Sequence, residues 1–301
     1  MFDTVRITAN CNSLNISQIR NDVIVGSFIY KDSNTGMDCT KFKLRTNNIP
    51  MMEYNTFTQR LVVELSIPKF LYRENVTNLK QKEIETFFSL LEEELYQNLS
   101  VRIDKTEWQI KRIDVSWNFQ AGHKVTDYLN QLKQMEIPRL VKTVYQDGET
   151  VSFGNKSRET IFYDKQKQCK NNKDPVDIVK RAYGLLRMEI RPSYHEMRKY
   201  DKERKAVNLL TKDFFIYLME KVLPIEIPLF GDDVPYEWVV SHKIHQIEKV
   251  IGFKTLRNNF GMVKLKQIYR SSTLDNRKKL MKKIEWKDTA LPPLQIDYTQ
   301  L

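Results

Sequence analysis

The sequence has no apolar run approaching the length of a membrane span, and its N-terminus lacks a secretory signal pattern, so a soluble, cytoplasmic protein is expected. Cysteines are few: Cys11, Cys39 and Cys169 are odd in number and far apart, which implies neither a disulfide framework nor a zinc site and leaves ordinary reduced thiols. No His-x-His pair occurs, so a metal site built on paired strand histidines is absent. His242 and His245 stand three apart on an expected helix with no third ligand nearby, which assigns them to the surface or to base-edge contact. Glycine is scarce, nine in 301 residues, while 41% of residues are hydrophobic and 11% aromatic, enough to bury one large core or two. Acidic charge is the minority, 38 Asp plus Glu against 49 Lys plus Arg, and the net charge of +11 suits a polyanionic partner such as DNA.

What is present is a set of alternating strands. Leu186, Met188 and Ile190 alternate with Arg187, Glu189 and Arg191, the period of a strand with one apolar and one charged face. In Thr160 to Lys165, Ile161, Tyr163 and Lys165 share a face opposite Phe162. Ile110 to Phe119 places Arg112, Asp114, Ser116 and Asn118 on one side and Lys111, Ile113, Val115, Trp117 and Phe119 on the other. If the three strands share a sheet, Asp114, Glu189, Tyr163 and Lys165 converge on its polar face. Two carboxylates there can hold a hard divalent cation, and a lysine beside the tyrosine can stabilise a phenolate or the developing charge on phosphorus. An antiparallel sheet also carries a wet face as a matter of course, and alternation alone leaves that plainer reading open.

Four blocks carry a family resemblance: Arg112-Ile-Asp-Val-Ser-Trp-Asn-Phe119, Glu149-Thr-Val-Ser-Phe-Gly154, Thr160-Ile-Phe-Tyr-Asp-Lys165 and Leu186-Arg-Met-Glu-Ile-Arg191. In order and spacing they resemble the replication initiators of rolling-circle plasmids and filamentous phages, as does the opening Met1-Phe-Asp-Thr-Val-Arg-Ile7. The resemblance implies that Tyr163 nicks one DNA strand and becomes joined to its 5′-phosphate. It implies Asp114 and Glu189 as ligands of Mg²⁺ or Mn²⁺, with Lys165 as the block's lysine. Tyr183 and Tyr194, each near the Glu189 strand, are the rival nucleophiles. Relatives usually carry an acid three positions after that lysine, where this chain has Gln168.

The rest of the chain frames these blocks. Asp3 to Thr8, Asp22 to Tyr30, Phe57 to Ile67 and Ser100 to Asp104 read as strands, and Gln81 to Leu99 and Thr126 to Met135 as amphipathic helices. Lys31 to Gly36 and Tyr145 to Gly148 read as turns, and Lys167 to Lys173 as a polar loop, either solvated or touching the phosphate backbone. Thr211 to Leu223, Tyr236 to Ile251 and Leu274 to Ile284 read as helices, the first two separated by Pro224 to Asp233, with Thr211 and Pro235 as start signals. From Lys254 to Lys287 there are 11 Lys or Arg against Asp275 and Glu285, with Tyr269 and Trp286 interleaved. This segment is either a solvated helical face or the origin-binding surface.

The expected protein is therefore α+β. Residues 1–205 form a nicking domain with a mainly antiparallel sheet, like the histidine-hydrophobe-histidine nickase core, and residues 206–301 a basic helical DNA-binding region. Its expected function is rolling-circle initiation on duplex and single-stranded origin DNA; the rivals are a relaxase of a mobile element and a non-enzymatic DNA-binding regulator. Expected DNA contacts are Arg187, Arg191, Lys264, Lys266, Arg270, Arg277, Lys278 and Lys279. The resemblance further implies a homodimer and a host helicase as partner.

Overall fold

The alternating segments pair into one sheet. This computed structural model describes residues 1–301 apart from 20–21, 32–34, 136, 138, 146–148, 223–239, 283–290, 292–293, 295 and 301. Among the described residues ten strands form a single antiparallel sheet: β1 Phe2–Asn10, β2 Ile24–Lys31, β3 Asp38–Leu44, β4 Met51–Asn55, β5 Arg60–Ser66, β6 Gln109–Gln120, β7 Val141–Tyr145, β8 Thr150–Gly154, β9 Arg158–Asp164 and β10 Leu185–Pro192. Their spatial order is β2-β3-β4-β5-β1-β6-β10-β9-β8-β7, so the three strands expected to carry the chemistry, β6, β10 and β9, are neighbours.

Period-2 patterning sorts the two faces. Val5, Ile7, Val63, Ile113, Val115, Met188, Ile190 and Phe162 line up across the registers and are all buried. Helices cover this apolar side. The helix α2, Glu83–Leu99, buries Ile84, Phe87, Phe88, Leu91, Leu95 and Leu99, the stripe its sequence period requires, while its Glu94 accepts from Thr46 Oγ1 at 2.5 Å and Asn48 Nδ2 at 2.6 Å. It follows the short α1, Ile67–Tyr72, and α3, Val125–Gln134, packs on β8 and β9.

Two further helices stand on the polar side. The helix α4, Lys165–Asn171, begins at the N-cap Asp164, whose side chain accepts from the Lys167 N–H at 3.0 Å. It buries Cys169 against Val76, Ala182 and Leu185, where α5, Val176–Arg181, joins it. The segment read as a polar loop is thus a capped helix; its Lys and Gln residues are good helix formers, and a single buried cysteine gives too little apolar period to betray it. Other differences have similar causes. The strands β3 and β4 escape sequence reading because β3 is largely polar and β4 is short. Residues 56–59 form a turn rather than the start of β5, and 101–104 carry no strand.

The chain divides into two compact units, Met1–Glu226 with Leu294–Leu301, and Ile227–Pro293. The first extends past the expected boundary at residue 205, through α6, Tyr194–Tyr200, α7, Ala206–Leu209, and α8, Lys212–Val222. On α8 Phe214, Phe215, Leu218 and Met219 are buried, and the Phe215 ring lies 6.5 Å from that of Phe2 and 5.9 Å from that of Trp117. In the second unit α9, Ile244–Ile268, breaks at Gly261 (φ 70°, ψ 163°), and α10, Ser271–Lys282, packs with it around Phe253, Leu265 and Leu274. The expected spacer Pro224 to Asp233 and the Pro235 start signal lie outside the described residues.

One glycine is required by space as well as by φ. Gly184 (φ +72°) accepts N–H bonds from Ala121 and Gly122 at 2.8 and 3.0 Å, and a Cβ there would stand 2.7 Å from Gly122 Cα. Gly184→Ala is therefore expected to cost about 2–4 kcal/mol in urea unfolding, more than left-handed backbone strain alone, because the β6–β10 end must open.

Candidate active site

Register places the site. Arg187 on β10 lies level with Asn118 on β6 and Tyr163 on β9, and Glu189 lies level with Ser116 and Ile161. All point to the polar face. Tyr163 Oη donates to Glu189 Oε1 at 2.5 Å. The same oxygen receives Arg187 Nε at 3.1 Å, and Glu189 Oε2 receives Arg191 Nη2 at 3.3 Å. Tyr163 and Glu189 open onto a cleft of about 300 Å³, whose wall also includes Arg191, Glu149, Lys167 and Gln168.

Arg187 is 2% exposed, and each of its five N–H groups has an acceptor. Nε reaches Glu189; Nη1 reaches Asn75 O at 2.9 Å and Asn118 Oδ1 at 3.2 Å; Nη2 reaches Asp3 Oδ2 at 2.5 Å and Ser116 Oγ at 3.0 Å. It is an internal strut, so the expected DNA contact at this position is not available. Burial opposes its charge, but Asp3, Glu189 and Tyr163 hold the guanidinium firmly protonated.

Asp114 is buried and fully engaged. Arg112 grips it through Nε at 3.0 Å and Nη2 at 2.7 Å, and Arg191 Nε adds a bond at 3.2 Å. Arg191 thus bridges the two candidate metal ligands. Lys165, by contrast, does not reach the phenol. It is wholly buried at the start of α4, and its ammonium donates to Asn75 Oδ1 at 2.9 Å and Gln168 Oε1 at 2.6 Å. Gln168 therefore serves as the acceptor for this lysine but brings no negative charge. Burial, then the Arg187 charge, lowers the Lys165 pKa to about 8. Burial, reinforced by the Glu189 carboxylate, holds the Tyr163 phenol well above 10, so ionisation requires an immediate proton acceptor.

The rival tyrosines are differently placed. Tyr183 is 60% exposed in the turn before β10, and Tyr194 lies at the start of α6 with the Arg204 guanidinium 4.2 Å from its ring centre. Asp3 and Asn75 are the participants that sequence reading missed, and Arg112, read on the polar side, was given no role there. A β-bulge between Phe2 and Val5 turns Asp3 to the polar side, against simple alternation from Val5 and Ile7, and Asn75 arrives on an irregular segment.

A hard cation takes oxygen ligands, and Asp114 and Glu189 supply them on adjacent strands. Among the described residues no three His, Cys, Asp or Glu side chains form a metal-binding group, and a guanidinium already joins the two carboxylates. The donor atoms are of the kind Mg²⁺ or Mn²⁺ takes, but a cation there would have to displace the Arg191 side chain, 37% exposed, and compete with the Arg112 grip on both oxygens of Asp114.

Family comparison places the chain as a whole. Residues 1–211 match the family described as the N-terminal region of the phage replication-associated protein of gene II. The chain belongs to this family. It is a phage rolling-circle replication initiator of the gene II type. No curated protein matches it. The match stops short of the basic helices, where Lys264, Lys266, Arg270 and Lys279 are exposed, Arg277 and Lys278 are half-buried, and Lys278 lies 3.5 Å from Asp275. Tyr269 packs on Phe253, with ring centres 5.8 Å apart, instead of standing out among the charges, and Trp286 lies outside the described residues. His242 precedes α9 in a bend while His245 lies on it, so the pair does not share a helix. No helix among the described residues is long and apolar enough to cross a membrane.

Removing the strut leaves Asp3 buried without its guanidinium partner and Glu189 with Arg191 alone. Arg187→Leu is expected to lose about 3–5 kcal/mol in urea unfolding, well beyond the loss for a surface arginine such as Arg102.

Proposed function

We propose that this initiator nicks one strand of origin DNA by transesterification on Tyr163. The observation that carries the reading is the Tyr163 Oη to Glu189 Oε1 bond, 2.5 Å long, at the wall of a cleft. A phenol held above its ordinary pKa is a poor nucleophile until its proton is taken, and Glu189 stands where that proton goes. As Tyr163 Oη bonds to phosphorus, Glu189 accepts the phenolic proton, the bond from phosphorus to the 3′-oxygen breaks, and that oxygen takes a proton from water. The products are a 5′-phosphotyrosine and a 3′-OH that primes synthesis. The covalent link conserves the phosphodiester bond energy, so the reverse step rejoins the strand.

Arg187 positions Glu189 and favours negative charge developing on the phenol. Asp114 and Glu189 are the residues to hold Mg²⁺ or Mn²⁺, and a bound cation would neutralise charge on the scissile phosphate. Lys165 supports the site from behind, through Asn75 and Asp3, rather than by touching the phenol. The exposed cations of α9 and α10 supply salt-sensitive affinity for the duplex origin.

The test is covalent capture. Protein incubated with single-stranded oligonucleotides and Mn²⁺ is denatured and examined for a DNA-bearing band. The wild-type chain is expected to form the adduct, Tyr163→Phe to form none, and Glu189→Gln to form it about 10²–10⁴ times more slowly. Adduct persisting in Tyr163→Phe moves the nucleophile to Tyr183 or Tyr194; binding with no adduct in any variant identifies a regulator.

Two further outcomes follow from the charges. With Arg191→Gln the one guanidinium shared by both carboxylates is gone, while Arg112 and Arg187 remain, so Mn²⁺ measured by titration calorimetry should bind about tenfold more tightly, and Asp114→Asn should abolish that binding. Lys165 loses its proton as pH rises through about 8, so the adduct rate should fall above that pH. Gln168→Glu places an anion against the ammonium, favours the charged form and should move this falling limb to higher pH.

A further inference from the structure

The polar face continues far beyond the cleft. From Tyr163 and Glu189 it runs through Arg191, Asp114, Arg112, Glu64 and Arg6 to Glu53, with ion pairs at 3.3, 3.2, 2.7, 3.7, 3.6 and 3.0 Å after the phenol bond. Each anion along this ladder stands between cations, so the ladder is close to neutral. Where it ends, toward the β2 edge, the character changes. Phe28 and Tyr30 on β2 share the face with Lys41 and Lys43 on β3, and Lys41 lies level with Asn55, itself level with Arg60. Phe28 is 41% exposed, its ring 6.3 Å from that of Tyr30, and the Tyr30 hydroxyl is held by Asn55 Nδ2 at 2.7 Å. The Lys41 ammonium sits 4.9 Å from the Tyr30 ring centre and 5.8 Å from that of Phe28, and the Lys43 ammonium is 5.8 Å from the latter. Lys111, placed at a β-bulge of β6, is held below its ordinary pKa by burial and then by Arg6, Arg60 and Lys41. Positive charge is crowded here with Glu53 as its nearby opposite.

We infer that Phe28, Tyr30, Lys41, Lys43, Arg60 and Lys111 form a second binding site, a stacking platform for the single-stranded DNA that enters or leaves the Tyr163 cleft. The occupant is fixed by chemistry: π-faces for bases, ammonium groups beside them for phosphates, and one continuous sheet face leading to the phenol. Apolar contact with a protein would not call for two lysines held over the rings. Seven strand spacings separate β2 from β9, about 34 Å, a reach suited to the roughly 4–16 nucleotides that single-strand binding folds cover. The inference rests on the proposed nickase only for the purpose of the platform; the binding itself is independent of cleavage.

The experiment measures anisotropy of labelled oligo(dT) of 6, 12 and 24 nucleotides on the full chain carrying Tyr163→Phe, so that no adduct forms. Affinity should rise steeply with length. Adding Phe28→Ala and Tyr30→Ala should remove that rise and weaken 24-mer binding about 10- to 100-fold. Phe28→Leu, which keeps apolar bulk without a π-face, should weaken it about tenfold even if the double variant folds poorly. Lys41→Gln should reduce the salt slope by about 0.7. Unaltered length dependence in folded variants overturns the platform, and so does a change confined to self-association in sedimentation, which would make the strip a protein contact. Absence of adduct in the unmodified chain defeats the nickase reading instead, and is scored in a separate assay.

Discussion

A single buried guanidinium organises this molecule. Taking an arginine out of water costs several kcal/mol, and Arg187 is tolerated because every one of its N–H groups meets an acceptor. Those acceptors come from β1, β6, β10 and the segment before α2, so satisfying the charge requires the strands to hold their register and the Asn75 segment to close over them. The cost of a bad fit makes the site rigid: Glu189 is pinned by Nε of Arg187, and Tyr163 has one well-defined partner.

The same economy of charge shapes the whole face. Carboxylates and guanidiniums alternate from Glu53 to Glu189, and their near cancellation means that the net charge of +11 is not spread evenly over the sheet. At the cleft the balance is delicate because Arg191 is partly exposed and shared by two acids, so any divalent cation held by those acids would have to compete with this side chain. At the β2 end Glu53 is the last acid of the ladder, level with Lys43, and lysines, Arg60 and aromatic rings outnumber it. Both ends of the ladder are thus suited to a polyanion for different reasons: one by exchangeable charge, the other by an excess of positive charge.

Legibility followed burial. Strands that alternate cleanly, β6, β9 and β10, and the helices α2 and α3 could be read from residue period because each buries a full apolar stripe. The strand β3 and the helix α4 could not, since their polar residues bury too little to impose a period. Arg187 shows the limit most clearly. Its place on the charged face was readable, whereas its enclosure depends on a bulge that turns Asp3 and on a loop that brings Asn75. Lys165 shares a face with Tyr163 by alternation, yet the chain enters α4 at that residue and its ammonium points to Gln168.

By itself the sequence determined an antiparallel sheet with a charged face, the presence on it of Tyr163, Glu189 and Asp114, and a basic helical segment near the end, because each of these depends on spacing along one strand or helix. Tertiary structure alone decided who touches whom. It made Arg187 a strut, Glu189 the partner of the phenol, Arg191 the bridge between the acids, and β2 with β3 an extension of the same face, because those relations depend on strand order, a bulge and the closing of irregular chain, which no local period encodes.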